Sequence, residues 1–207
     1  MTKILLMRHG HVEGIDPPRF RGRLELDLTA LGQAQARLTA ARIAAEWSLS
    51  AVYSSPMRRC LDTAMVIATA SGDGQVMPLE GLQDIDYGDW QGHLHSEIAA
   101  QDPQTYAVWE HAPHLVRLPG GESLQDVVAR TADGLRTVLS AHPHGVVVMV
   151  GHDSVNRLLL LQCLDQPLSA YRRLELSPCG LTEVDIDGAD IRVMRINETG
   201  HLRGPTP

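Results

Sequence analysis

The chain reads as an α/β protein of the doubly wound kind, and three observations predict it. Two runs, Ile4 to Met7 and Val146 to Val150, are apolar without polar alternation, as strands are when helices cover both their faces. Both stop abruptly at charge and glycine, in Arg8-His9-Gly10-His11 and in Gly151-His152-Asp153-Ser154. Around them, short apolar segments alternate with stretches whose apolar residues recur at helical spacing, the pattern of a parallel sheet under helices. At 207 residues and 43% hydrophobic, the chain can bury one substantial core, so a single domain over residues 1–207 is expected.

The first strand ends where ligands sit in open α/β sheets, outside the carboxyl ends of strands. Arg8, a fixed cation, and His9, a nucleophile or base, therefore stand at a binding edge, with Gly10 allowing a sharp turn. Val12 to Asp27, carrying Pro17-Pro18 and Arg19, Arg21 and Arg23, reads as a long functional loop. Thr29 is an N-cap candidate for a helix expected to bury Leu31, Ala34, Leu38, Ala41 and Ala45. Ala51 to Ser54 is a short strand. Pro56 suits the first turn of the next helix, with Leu61, Ala64, Met65 and Ala68 on one face and Ser71-Gly72-Asp73-Gly74 at its end. Val76 to Leu79 is a further strand, and Leu82 to Gly92 a loop dense in acids, glycine and aromatics.

One or two short helices, interrupted at Pro103, are expected between His93 and Ala112. Pro119-Gly120-Gly121 turns the chain, and Ser123 with Asp126 forms a capping box for a helix reaching about Ala141. His142 to Gly145 ends it. After Val146 to Val150 the chain is helical again at Leu158 to Leu161. Because parallel strands bring their carboxyl ends to one edge, His9 and His152 should face each other across one crevice. Leu181 to Ile186, a turn at Asp187-Gly188, and Ile191 to Ile196 make a hairpin, followed by a loose tail at Gly204 to Pro207.

Composition narrows the function. A net charge of −7, from 25 acidic and 18 basic residues, argues against a general nucleic-acid or anionic-membrane binder. Cys60, Cys163 and Cys179 are widely spaced, without a Cys-x-x-Cys pair, and read as buried thiols of a reducing cytoplasm. With neither a leader pattern nor a membrane-length apolar run, a soluble cytoplasmic protein is expected. The pairs His9 and His11, His93 and His95, and His142 and His144 lack further ligands at metal spacing, so no metal is expected. Trp47, Trp90 and Trp109 read as core or lid aromatics.

Five ordered blocks resemble the histidine phosphatase superfamily, the phosphoglycerate mutase-like proteins, in its phosphatase branch. They are Arg8-His9-Gly10; Ser54 to Arg59 with Thr63-Ala64; Leu82 to Gly92; Pro119 to Leu124; and Gly151-His152. The resemblance runs from about Lys3 to Leu161. It implies a three-layer fold, a mostly parallel sheet with helices on both faces. It also implies a cofactor-free, metal-independent phosphatase that hydrolyses small phosphomonoesters through a phosphohistidine on His9. Arg8, Arg59 and His152 would hold the phosphoryl oxygens, His152 counting also among the catalytic residues, and Gly151 would contact substrate. Arg59 is chosen over Arg58 because Thr63 follows it by four residues, as in the family motif. Arg58 is left to a solvated pair with Asp62.

The family usually places a glutamate as proton donor where this chain has Asp84, one methylene shorter. Either the loop sits closer to the pocket or proton donation is weaker, and Asp86 and Glu122 are the substitute acids. His11, Val12 and Ile15 stand where the family has Glu or Gln, Thr and Asn. Arg21 stands where Gln or Thr is more usual, which adds a cation beside the pocket. The expected partner is a small phosphorylated metabolite with a second anionic group, carboxylate or phosphate; the oligomeric state is open. The alternatives are a phosphoglycerate mutase, using the same phosphohistidine, and a noncatalytic phosphate-binding module.

Overall fold

The computed structural model describes residues 1–72 and 74–203. Asp73, in the expected helix stop, and the tail Gly204 to Pro207 lie outside the described residues. Six strands, β1 Thr2–Arg8, β2 Ala51–Ser54, β3 Met77–Pro78, β4 Gly145–Gly151, β5 Leu181–Asp187 and β6 Asp190–Glu198, form one sheet in the order β3-β2-β4-β1-β5-β6. The first four run parallel, and the hairpin β5–β6 adds an antiparallel edge. Its turn is Gly188-Ala189, one residue later than expected, because Asp187 pairs with Asp190.

The helices are α1 Ala30–Glu46, α2 Arg58–Ala70, α3 His95–Gln101, α4 Pro103–His111, α5 Leu124–Ala141 and α6 Asp153–Cys163. Strand residues alternate between two cores. Leu5, Met7, Val52, Val148 and Val150 pack with α1 and α2, while Ile4, Leu6, Tyr53, Val147 and Met149 pack with α5 and α6. Helices therefore cover both faces of the sheet, and this explains why β1 and β4 carry no polar alternation.

The caps follow the sequence. The Thr29 hydroxyl accepts from the Gly32 amide at 3.1 Å, Asp102 caps α4 with Pro103 in its first turn, and Ser123 and Asp126 cap each other's amides at the start of α5.

Two helix faces differ from expectation. α1 buries Gly32, Ala36, Thr39, Ala40 and Ile43, while Leu31 and Leu38 are 55% and 40% exposed. Alanines on several sides leave its apolar period ambiguous, and backbone proximity decides. A Cβ on Gly32 would lie 2.2 Å from the His11 carbonyl oxygen, so only the small-residue side can dock. α2 buries Arg59, Cys60 and Thr63 with Ala64, Ile67 and Ala68; Met65 is 48% exposed and Leu61 half-buried. Its inner face carries polar groups because they belong to the site described below. Pro56 precedes the N-cap Met57 and stands outside the helix.

The contact of α1 with the segment after β1 makes Gly32→Ala a stringent test of this docking. It is expected to lower stability by roughly 1–3 kcal/mol through overpacking against backbone, measured by urea unfolding. An unchanged unfolding midpoint would mean that the contact yields.

Candidate active site

β1 and β4 are neighbours in register, Arg8 opposite Gly151, so the residues that follow them emerge side by side. The His9 amide donates to the Gly151 carbonyl at 3.0 Å, and the His9 and His152 rings meet edge-on with centroids 5.3 Å apart. The crevice expected from the two strand ends is therefore present.

His9 is buried, and its Nδ1 lies 2.7 Å from the Gly10 carbonyl oxygen. A carbonyl only accepts, so Nδ1 carries the hydrogen and Nε2 is left with a lone pair. Arg59 Nε donates to that lone pair at 3.3 Å. Burial, and after it the nearby His152, Arg59 and Arg8, hold the His9 pKa well below the usual histidine range. The imidazole is thus neutral and its tautomer fixed, the state required of a nucleophile. His152 is also held well below its usual range, by burial first and by Arg59 and Arg8 after it. Its Nε2 lies 2.8 Å from Ser55 Oγ and its Nδ1 3.5 Å from an Asp84 oxygen.

Arg59 is fully buried. Its Nη1 donates to the Leu24 carbonyl at 2.8 Å, and its Nη2 to the Gly22 carbonyl at 2.7 Å and to Asp84 Oδ2 at 3.0 Å. One guanidinium thereby ties the long loop, the acid and His9 together. Arg58 points away, 67% exposed, pairing with Asp27 at 3.0 Å and Asp62 at 3.7 Å. Arg8 donates to the Leu176 carbonyl at 2.7 Å, and its Nε is buried without a hydrogen-bond partner.

The shorter acid reaches the site because its loop sits close. Asp84 Oδ1 accepts from Ser154 Oγ at 2.5 Å and from the Ile85 amide at 2.9 Å, while Oδ2 faces Arg59. The substitute acids are engaged elsewhere. Asp86 caps the Gly88 amide and pairs with Arg23, and Glu122 pairs with Arg130; neither lines the cavity.

A cavity of about 260 Å³ opens in front of His9. Arg8, Arg19, Arg21, Arg157 and Arg172 line it against Asp84 and Asp153, so a chain of net charge −7 gathers positive charge here. Arg157 pairs with Asp153 at 2.9 Å and Arg172 with Glu110 at 3.0 Å, whereas Arg21 is held by backbone carbonyls, Gly14 at 2.5 Å and Arg19 at 3.5 Å. Arg59 and His152 lie behind this wall, in contact with His9 and Asp84, which form part of it.

Gly151 is not brought to the cavity. Its carbonyl serves the His9 amide, and a Cβ on it would lie 2.5 Å from Asn156 Oδ1, so its part is to let α6 pack onto the strand end. Among the described residues, no three His, Cys, Asp or Glu side chains are grouped to hold a metal ion, and no helix is long and apolar enough to cross a membrane.

Sequence reasoning missed part of the wall. Ser154, two residues past His152 at the start of α6, and Arg157, one helical turn beyond Asp153, carried a local signal. Tyr171 and Arg172, on a 3-10 segment at Leu168–Arg173, carried none. The aromatics converge as well. Of one Phe, three Trp and four Tyr, six form a continuous cluster: Phe20, Tyr87, Trp90, Tyr106, Trp109 and Tyr171. Phe20 also stacks on His95 at 4.0 Å, and His95, Tyr87, Trp109 and Tyr171 reach the cavity. Trp47 packs on the opposite side, against the core under α1 and α2.

Comparison with known proteins follows the same lines. The family model described as the histidine phosphatase superfamily (branch 1) matches residues 4–199. Phosphoserine phosphatase 1 of Hydrogenobacter thermophilus is 31% identical over 202 residues, spanning 98% of this chain and 95% of that protein. Among solved structures, Bacillus stearothermophilus YhfR superposes with a TM-score of 0.92 at 28% identity, over 98% of this chain and 100% of that one. The phosphoserine phosphatase of Entamoeba histolytica, in complex with 3-phosphoglyceric acid, gives 0.85 at 27% identity over 98% and 100%.

Proposed function

Because the chain belongs to the histidine phosphatase superfamily (branch 1), we infer that it hydrolyses small phosphomonoesters, with His9 as the nucleophile. The observation that carries this reading is the neutral, tautomer-fixed imidazole of His9, buried at the inner wall of an arginine-lined cavity with its Nε2 beside Arg59. His9 Nε2 attacks phosphorus, forming an N–P bond as the ester P–O bond breaks. The Nδ1–H bond to the Gly10 carbonyl supports the positive charge that develops on the ring. Asp84 gives a proton to the leaving alkoxide, and its carboxylate then takes one from the water that attacks the phosphohistidine. Inorganic phosphate leaves and Nε2 is restored.

Arg8, Arg59, His152 and the amides at the start of α6 hold the phosphoryl oxygens, which is where phosphoryl transfer gains most of its acceleration. The incoming group enters between His9 and Arg59, so Arg59 Nε exchanges an imidazole partner for an anionic oxygen.

The substrate carries a second anion, a carboxylate, and Arg21 is its partner. Arg21, like Arg19, is a lining arginine of the long loop whose partners are backbone carbonyls, and it stands where the family more usually has Gln or Thr; two of the relatives named above are phosphoserine phosphatases, one of them holding 3-phosphoglyceric acid. Such a metabolite, together with three unpaired cysteines, fits a reducing cytoplasm.

The test is phosphate release from a panel of phosphomonoesters in the presence of chelator, with 2-phosphoglycerate formation followed from 3-phosphoglycerate. Turnover that survives chelator is expected, whereas isomerisation faster than phosphate release would identify a mutase. Arg21→Ala is expected to raise KM for carboxylate-bearing esters about tenfold relative to neutral ones. An unchanged ranking removes Arg21 from substrate recognition.

A further inference from the structure

Asp84 stands on irregular chain between 3-10 turns at Glu80–Leu82 and Gly88–Trp90, with no helix or strand of its own to hold it. Its backbone is held instead from α5. Arg130 uses all five of its N–H groups: Nη1 donates to the carbonyls of Gly81 at 2.9 Å and Gln83 at 2.5 Å. Nη2 donates to the Asp84 carbonyl at 3.1 Å and to Glu122 Oε2 at 3.0 Å, and Nε to Glu122 Oε1 at 3.0 Å. Glu122 holds the other side, its Oε2 accepting from the Asp86 amide at 2.9 Å. The backbone is thus pinned at the carbonyl of Asp84 and at the amide of Asp86. Close packing adds to this, since a Cβ on Gly81 would lie 2.7 Å from the Arg130 carbonyl oxygen. Neither Arg130 nor Glu122 lines the cavity.

We propose that Arg130 and Glu122 are positioning residues that set the Asp84 carboxyl for proton transfer to the leaving group, an inference that rests on Asp84 being the acid of the proposed reaction. A short acid has little slack. Its Oδ1 is anchored on Ser154 and the Ile85 amide, so reach into the cavity is set by where the backbone lies, and Arg130 sets that. Displacing a reacting group by about 1 Å can cost on the order of 100-fold in rate.

The test compares two esters through kcat/KM, which reports the steps up to departure of the leaving group. O-phosphoserine releases an alkoxide that needs a proton, whereas p-nitrophenyl phosphate releases a stable phenolate that does not. Asp84→Asn should lose about 10²–10⁴-fold on O-phosphoserine and far less on the aryl ester, as removal of a general acid does. Arg130→Met should lose about 10–100-fold on O-phosphoserine and stay within about threefold on p-nitrophenyl phosphate. Glu122→Gln, nearly isosteric, should show the same selectivity to a smaller degree, and carries the comparison if Arg130→Met does not fold. Equal losses on both esters in Arg130→Met and Glu122→Gln, with Asp84→Asn still selective, overturn the positioning role alone. An Asp84→Asn variant without selectivity overturns the acid itself, and the positioning role with it.

Discussion

His9→Ala is expected to lower phosphate release on the order of 10⁵-fold, the scale on which removal of an enzyme nucleophile acts, while inorganic phosphate still binds. The arginines remain, and the strand-end contact that seats residue 9 runs through its backbone amide to Gly151. Rapid quench of the wild type with labelled substrate should trap a phosphoryl group that is acid-labile and alkali-stable, and His9→Ala should trap none. Equal turnover in the variant would falsify the phosphohistidine route.

The pH profile makes a second, independent demand on His9. Its pKa in the folded protein lies well below the usual histidine range, so the neutral imidazole persists as pH falls through that range. The kcat/KM profile should therefore show no acid limb centred near ~6.5, the ordinary histidine value. A single protonation there that abolished activity and vanished on moving the substrate pKa out of range would be the substrate's; one that stayed would mean that His9 is more basic than its surroundings dictate. Stability has its own sign. Unfolded His9 and His152 bind protons at pH values where the folded ones do not, so falling pH should destabilise the fold from about 6.5 downward, by up to about 1.4 kcal/mol per pH unit for each histidine. Above that range their contribution is level.

Arg59→Met is expected to act on stability and catalysis at once. It removes a fully buried cation, leaves the Gly22 and Leu24 carbonyls without this donor and strips Asp84 Oδ2 of its ion-pair partner. Breaking a buried ion pair from one side costs about 3–5 kcal/mol, to be read from urea unfolding. Loss of a donor to the reacting oxygens costs about 10²–10³-fold in kcat/KM. Arg59→Lys retains charge but not the forked geometry and should recover little of either. Arg58→Met is the control: its ion pairs are exposed, so stability should change by less than about 1 kcal/mol and turnover not at all. Indistinguishable effects at the two positions would refute the assignment of Arg59.

The sequence carried the strand ends and the caps because both are local. An uninterrupted apolar run can be buried only on two faces, and Ser123 with Asp126 is a complete cap within four residues. Arg8, His9, Arg59, Asp84 and His152 were readable as ordered blocks at element boundaries, and the structure gathers them around one crevice. The inner face of α1 was not readable, because alanines satisfy more than one helical stripe and the choice rests on a backbone contact between Gly32 and His11. A glycine beside a functional histidine looks the same in sequence whether it meets a ligand or a packed helix, and only the structure shows Gly151 facing Asn156 of α6. Arg130, Tyr171 and Arg172 act across tens of residues, and no spacing rule connects them to Asp84 or His9.

The gathered aromatics give the molecule an optical property. Two of its three indoles, Trp90 and Trp109, sit in the cluster beside the cavity, and the Arg172 guanidinium lies 5.5 Å from the Trp109 ring centroid. An anion bound in the cavity that Arg172 and Trp109 both line alters the electric field across that indole and with it the energy of its excited state. Near-ultraviolet emission from this cluster is thus a label-free readout of occupancy once the contribution of Trp47, on the far side of the sheet, is removed by Trp47→Phe.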